Sequence, residues 1–334
     1  MIAFLFVLNF GCTESVKIES EEKAIVEPKN KELQEEARVL ASRAFGVIPD
    51  EMPGSESDTF KKIALGKSLY FEKRLSVNQS QSCNTCHRVD GDFAGVDNEA
   101  TSKGALGHRV HRNSPTVLNA GFQFAQFWDG RAADLKDQAK GPILAKGEME
   151  MPSEESVLEI IKSDNSYVSM FEGVYGRGAI TYDNLADAIA AFERQLITKD
   201  KFDEFQKGSV DFAEQELRGF NLFVQTGCAS CHNGFLFGGN SYQKVGVIEP
   251  YMPDGKITED LGLYNITKKE DDKYFFKVPS LRNIERTYPY FHDGKVKTLK
   301  EAISIMAQIQ LGKKLEASEV EDIEVFFKNH DRLC

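Results

Sequence analysis

Two five-residue stretches, Cys83-Asn-Thr-Cys86-His87 and Cys228-Ala-Ser-Cys231-His232, decide how this sequence is read. Each is C-x-x-C-H, a spacing with a chemical reason. Two thioethers fix the vinyl groups of a haem, and the adjacent histidine presents an imidazole nitrogen to the iron from the same turn. A zinc ribbon would use four thiolates, and a thioredoxin-like dithiol needs a single C-x-x-C in a βαβ setting. Neither accounts for both histidines. The sequence therefore predicts two covalently bound haem c groups, one on Cys83, Cys86 and His87, the other on Cys228, Cys231 and His232.

The chain around these motifs is written twice. Pro115-Thr-Val-Leu-Asn119 through Phe127-Trp128-Asp129-Gly130 and Leu135 matches Pro279-Ser-Leu-Arg-Asn283 through Phe291-His292-Asp293-Gly294 and Leu299, every pair offset by 164 positions. A register kept this long indicates two copies of one haem-binding unit. Leu185, Ile189, Phe192 and Leu196 recur on one helical face. A capping box of Thr298 and Glu301 precedes Ile305, Met306 and Ile309, and a second, of Ser318 and Glu321, precedes Ile323, Phe326 and Phe327. No alternating run is long enough for a substantial sheet. The expected class is all-α, with cytochrome-c-like domains at residues 41–205 and 206–334.

The 334 residues carry 41 Lys+Arg against 52 Asp+Glu, a net charge of −11 at pH 7. That balance disfavours nucleic acid and steers a basic protein partner instead. After the first residues no apolar run approaches the roughly 20 residues of a membrane span. Ile2 to Phe10 is a short apolar segment ending at Gly11-Cys12, so residues 1–12 read as an export signal of lipoprotein type with Cys12 as the acylated anchor. Residues 13–40 are rich in Glu and Lys, a charged tether leading into a helix that carries Leu33, Ala37, Leu40 and Ala44. Cys334 is read as a terminal residue without a role. Because c-type haem is attached outside the cytoplasm, the expected location is the periplasm, at the membrane only through Cys12.

The two copies diverge where their chemistry would differ. Met306 follows the Gly294 turn by twelve residues, on the apolar face of a capped helix. A methionine at helical spacing ordinarily reads as core. Here a haem lacking its second ligand lies upstream, and Met/His ligation suits an electron-transfer haem of raised potential. The matching position in the first copy is Pro142, so the first iron is open or closed by a removable group. The following loop, Lys146-Gly-Glu148-Met-Glu150, supplies carboxylates for moving a proton; spacing alone does not choose among them.

Asn113-Ser-Pro-Thr-Val-Leu-Asn119, Gln126-Phe-Trp-Asp-Gly-Arg131-Ala-Ala-Asp-Leu135, Gln138-Ala-Lys-Gly-Pro142 and Tyr290-Phe-His-Asp-Gly294, with both haem motifs, closely resemble the bacterial dihaem cytochrome c peroxidases from about Ala41 to the C-terminus. The resemblance implies a peroxidatic N-terminal haem on His87 and a high-potential C-terminal haem on His232 and Met306. It implies Glu148 as acid/base over the first iron, Gln138 nearby and Trp128 between the haems. It also implies a calcium ion held by the Asn113 side chain and the carbonyls of Thr287 and Pro289. Hydrogen peroxide would be reduced to water with electrons from a cytochrome c or small copper protein, and homodimers are common among such enzymes.

One departure matters. In many relatives a histidine eight residues before the Asn of Asn-Ser-Pro-Thr caps the resting peroxidatic haem, and here that position is Ala105. His108 and His111 lie in the same loop. His108 is the candidate replacement as sixth ligand; otherwise that iron is five-coordinate or holds water. Two rival readings are a dihaem enzyme that oxidises a partner protein, whose subgroup has Tyr where Met306 stands, and a non-catalytic dihaem electron carrier, which Pro142 and Glu148 disfavour.

Overall fold

A computed structural model describes residues 16–328, with side chains from residue 30 onward. The export segment 1–12 with Cys12, and Cys334, lie outside the described residues. The helices are Val16–Ala44 (α1), Phe60–Tyr70 (α2), Cys83–Cys86 (α3), Leu135–Leu144 (α4), Glu154–Lys162 (α5), Asn165–Tyr175 (α6), Tyr182–Glu193 (α7), Lys201–Gln206 (α8), Glu214–Thr226 (α9), Tyr264–Thr267 (α10), Leu299–Leu311 (α11) and Ala317–Lys328 (α12). The three-residue strands Tyr242–Lys244 (β1) and Phe275–Lys277 (β2) pair antiparallel, with Tyr242 opposite Lys277. The fold is all-α in substance, as expected.

Helix starts follow cap chemistry. The side chains of Thr59, Asp134, Ser153, Thr181 and Thr298 each accept an amide of the first turn that would otherwise lack a partner. The expected box of Ser318 and Glu321 is displaced: α12 already begins at Ala317, and the Glu316 amide donates to Glu319 Oε2 at 2.8 Å. An acidic side chain two residues earlier caps the helix.

Two helix crossings organise the molecule, α2 on α7 and α9 on α12. Each closes at a glycine where backbones meet. A Cβ on Gly66 would stand 1.8 Å from the Ala188 carbonyl oxygen, and one on Gly219 would stand 1.9 Å from that of Asp322. Around the first crossing Leu65, Leu69, Tyr70, Phe171, Leu185 and Ile189 form one apolar cluster; around the second Phe202, Phe205, Phe220, Phe223, Phe326 and Phe327 form another.

The segment expected to be a tether is helical from Val16 onward, consistent with its content of Glu and Lys, both good helix formers. Its buried face also differs from expectation. Gln34, Ala37, Ala41 and Phe45 are buried, whereas Leu33 is 43% exposed. Gln34 sets this register: Nε2 donates to the Phe212 carbonyl at 2.8 Å and Oε1 accepts the Phe212 amide at 3.1 Å. Ala41 and Phe45 thus pack in the second cluster, although they were expected to open the first haem unit.

Gly219→Ala is expected to force α9 off α12 and to lower stability by about 1–3 kcal/mol, measured by chemical denaturation of the haem-loaded protein.

Candidate functional site

The 164-residue offset persists in three dimensions. Asn119 and Asn283 both adopt left-handed backbone (φ 60° and 58°), as do Phe127 and Phe291 (φ 68° and 66°). Positive φ is strained for a bulky side chain, and its recurrence at paired positions marks a retained local shape. Single backbone bridges join Gln126 to Ala132 and Tyr290 to Val296. Helices α4 and α11 begin at the paired residues Leu135 and Leu299. Between the copies sits Thr198, whose Oγ1 accepts from Asn119 Nδ2 at 2.8 Å and from Asn283 Nδ2 at 2.9 Å. All three residues are buried.

A cavity of about 1000 Å³ lies against the first motif, lined by Cys86, His87, Gln138, Pro142, Glu148 and Glu193 among others. His87 is fixed from behind: Nδ1 lies 3.0 Å from the Pro115 carbonyl oxygen, and the Tyr70 hydroxyl donates to the His87 carbonyl at 2.6 Å. A proton on Nδ1 given to that carbonyl leaves Nε2 as a lone-pair donor for a metal. Burial lowers the His87 pKa, keeping the imidazole neutral as a ligand must be. In the second motif His232 Nδ1 lies 3.0 Å from the Phe237 carbonyl oxygen, and burial again favours the neutral ring. Burial pushes the Cys86 and Cys228 thiols up to about 11, opposite to the lowered values of reactive dithiols.

Glu148 is the carboxylate of its loop that faces the first cavity; burial raises its pKa, with Arg131 opposing. The loop is anchored to the Gly-rich segment by the Ala105 amide, which donates to the Glu148 carbonyl at 2.7 Å. Ala105 is buried, and its carbonyl accepts from Asn78 Nδ2 at 2.6 Å. His108 points elsewhere. Its side chain is 56% exposed, its Nδ1 lies 3.3 Å from Glu150 Oε1, and it is absent from the cavity lining. His111 does reach the lining. Of the histidines near Ala105, the structure therefore brings His111, and not His108, to the cavity of His87.

The second cavity, about 250 Å³, is lined by Cys228, Cys231, His232 and Met306. Asn113, Thr287 and Pro289, the residues expected at calcium, line it too. Asn113 Nδ2 is committed to the carbonyls of Glu99 and Ala100 at 2.9 and 3.2 Å, so Oδ1 is the atom a cation would take. Among the described residues no cluster of three His, Cys, Asp or Glu suits a metal ion. A calcium site here would rest on amide and carbonyl oxygens, hard ligands which that ion accepts.

Asn113 to Thr116, Phe127, Trp128 and His292 line both cavities and form the wall between them. Trp128 Nε1 donates to the Asn113 carbonyl at 2.8 Å, and the Asn113 amide donates to the His292 carbonyl at 2.7 Å. The Trp128 and His292 rings, equivalent in the repeat, lie 6.3 Å apart. Each cavity is bordered by half-buried cysteines and a neutral histidine aimed by a carbonyl; the second has mostly apolar walls, the first a mixture of apolar and charged ones, and both linings fit a haem. The first also presents an orphan: Glu193 is buried, its Oε2 has no hydrogen-bond partner, and burial pushes its pKa up to about 8.

Sequence reasoning did not single out Glu193, Thr198, Gln123 or Lys277. Two had a readable signal. Glu193 stands four residues after Ile189, beside the buried helical face, and Lys277 interrupts the apolar run Phe275-Phe276-Lys277-Val278. Thr198→Val is expected to strand the buried Asn283 amide, to leave Asn119 Nδ2 only the Thr198 carbonyl at 3.4 Å, and to cost on the order of 1–3 kcal/mol, read from denaturant midpoints of the haem-loaded protein.

Residues 60–211 match the family model described as di-haem cytochrome c peroxidase. The chain is 44% identical to the cytochrome c551 peroxidase of Nitrosomonas europaea over 79% of its own length and 78% of that protein. It is 40% identical to the cytochrome c551 peroxidase of Pseudomonas aeruginosa, covering 86% and 84% of the two chains. A solved MauG-like protein associated with microbial copper homeostasis superposes with a TM-score of 0.74 at 25% identity, over 85% of this chain and 93% of that one.

Proposed function

The chain belongs to the di-haem cytochrome c peroxidase family, and on that premise we propose how its residues divide the work of reducing hydrogen peroxide with electrons from a redox protein. The observation that carries the proposal is the asymmetry of α4 and α11. The two helices start at paired leucines and border their own cavities, yet one offers Pro142 where the other offers Met306.

Two haem groups supply the iron redox chemistry. His232 and Met306 would both ligate the second iron, a saturated pair suited to taking and passing electrons. His87 would ligate the first, where Pro142 has no donor atom and Ala105 stands in place of a capping histidine. Such a centre would be open to peroxide without prior reduction. Glu148 would be the acid/base there, its carboxylate taking the proton of hydrogen peroxide and giving it to the leaving oxygen. Gln138, on α4 in the same lining, orients the oxygens. Trp128, in the wall shared by the cavities, lies on the path between the centres.

The finer assignments follow the same residues. Calcium is placed on Asn113, Thr287 and Pro289, where it would stiffen the shared wall. The first haem unit is assigned to residues 41–205 and the second to 206–334, with Phe45 and Phe202 reaching into the second cluster. The acidic balance supports a cationic donor, a small cytochrome c or copper protein, met in the periplasm by an enzyme tethered through Cys12 and paired as a homodimer.

Glu148→Gln is expected to lower kcat/KM for peroxide by about 10²–10⁴ with both haems retained. A general base must be ionised, and burial holds the Glu148 pKa above the ordinary carboxylate value. Wild-type kcat/KM should therefore fall as pH drops through that raised value, and the Gln variant should lose this acid limb. A variant with near wild-type kcat/KM and the same limb would remove Glu148 from the mechanism.

A further inference from the structure

We propose that Lys277, together with Gln123, binds a carboxylate of the second haem and thereby sets that centre's reduction potential. The proposal rests on the reading that Cys228, Cys231 and His232 carry this haem. Lys277 ends β2, is 5% exposed and lines the second cavity. Its backbone amide donates to the Trp128 carbonyl at 2.8 Å, fixing the side chain's root in the wall between the cavities. Its Nζ donates to Oε1 of Gln123, which lines the same cavity.

Among the described residues no carboxylate lies within ion-pair distance of that ammonium, and Gln123 Nε2 has no hydrogen-bond partner. A buried ammonium without an anion is costly. Burial drives the Lys277 pKa down to about 7, with the charge of Asp129 only partly opposing. The chain thus presents a cation and a free amide donor to an apolar cavity and supplies no anion there. Haem brings two propionate carboxylates, and one of them completes the site. An ammonium on that carboxylate offsets its negative charge, which would otherwise favour the ferric iron, so Lys277 raises the potential.

The test is a spectroscopic redox titration of the holoenzyme, following the second haem in wild type, K277M and K277R. K277M is expected to shift the one-electron reduction equilibrium at least tenfold toward ferric, 59 mV, and K277R to stay within threefold of wild type. K277Q, shorter and neutral, is read in the same way should K277M fail to take up haem. A neutral variant within threefold of wild type, or an arginine variant shifted as far as the neutral one, would overturn the proposal. Mass analysis of the peptide carrying Cys228 and Cys231 tests the underlying reading separately, since absence of covalent haem there would remove the site itself.

Discussion

One hydroxyl joins the two halves. Thr198 Oγ1 accepts from the amides of Asn119 and Asn283, the same residue of the two repeats, and holds both left-handed turns against each other inside the protein. Each turn leads into a strained phenylalanine and then the ring of Trp128 or His292. Fixing the turns back to back therefore sets how closely those rings approach. The two cavities share a wall whose residues face both of them.

On that symmetric frame the chemistry depends on one unmatched pair. Proline at 142 lacks an amide hydrogen and a donor atom. α4 stops at Leu144, two residues beyond it, while α11 runs on to Leu311. The Met149 and Met151 amides then turn back to the carbonyls of Pro142 and Ile143, which folds the Glu148 loop under the cavity. Position 142 thus offers no donor side chain where its counterpart is a methionine, and the helix that carries it gives way to a loop that brings the Glu148 carboxylate to the cavity.

Much of this was legible in the sequence because it lies in covalent spacing and repeat register. The two C-x-x-C-H motifs, the offset of 164 and the contrast of Pro142 with Met306 are linear facts, and the paired starts of α4 and α11 follow them. Tertiary relations were not legible. The buried face of α1 is set by Gln34 gripping the Phe212 backbone, 178 positions away, and apolar periodicity alone pointed to Leu33 instead. Glu193 and Lys277 acquire meaning only through burial, which removes the water that would otherwise solvate them. His108 lies near Ala105 in sequence, yet its loop turns it outward onto Glu150.

The division of labour between the two irons is tested most directly by low-temperature EPR of the fully oxidised, calcium-loaded enzyme. An open first centre beside a Met306-ligated second one predicts one high-spin and one low-spin ferric signal in equal amounts. Two low-spin signals would contradict it, placing a sixth ligand on the first iron and requiring that ligand to leave before peroxide can bind.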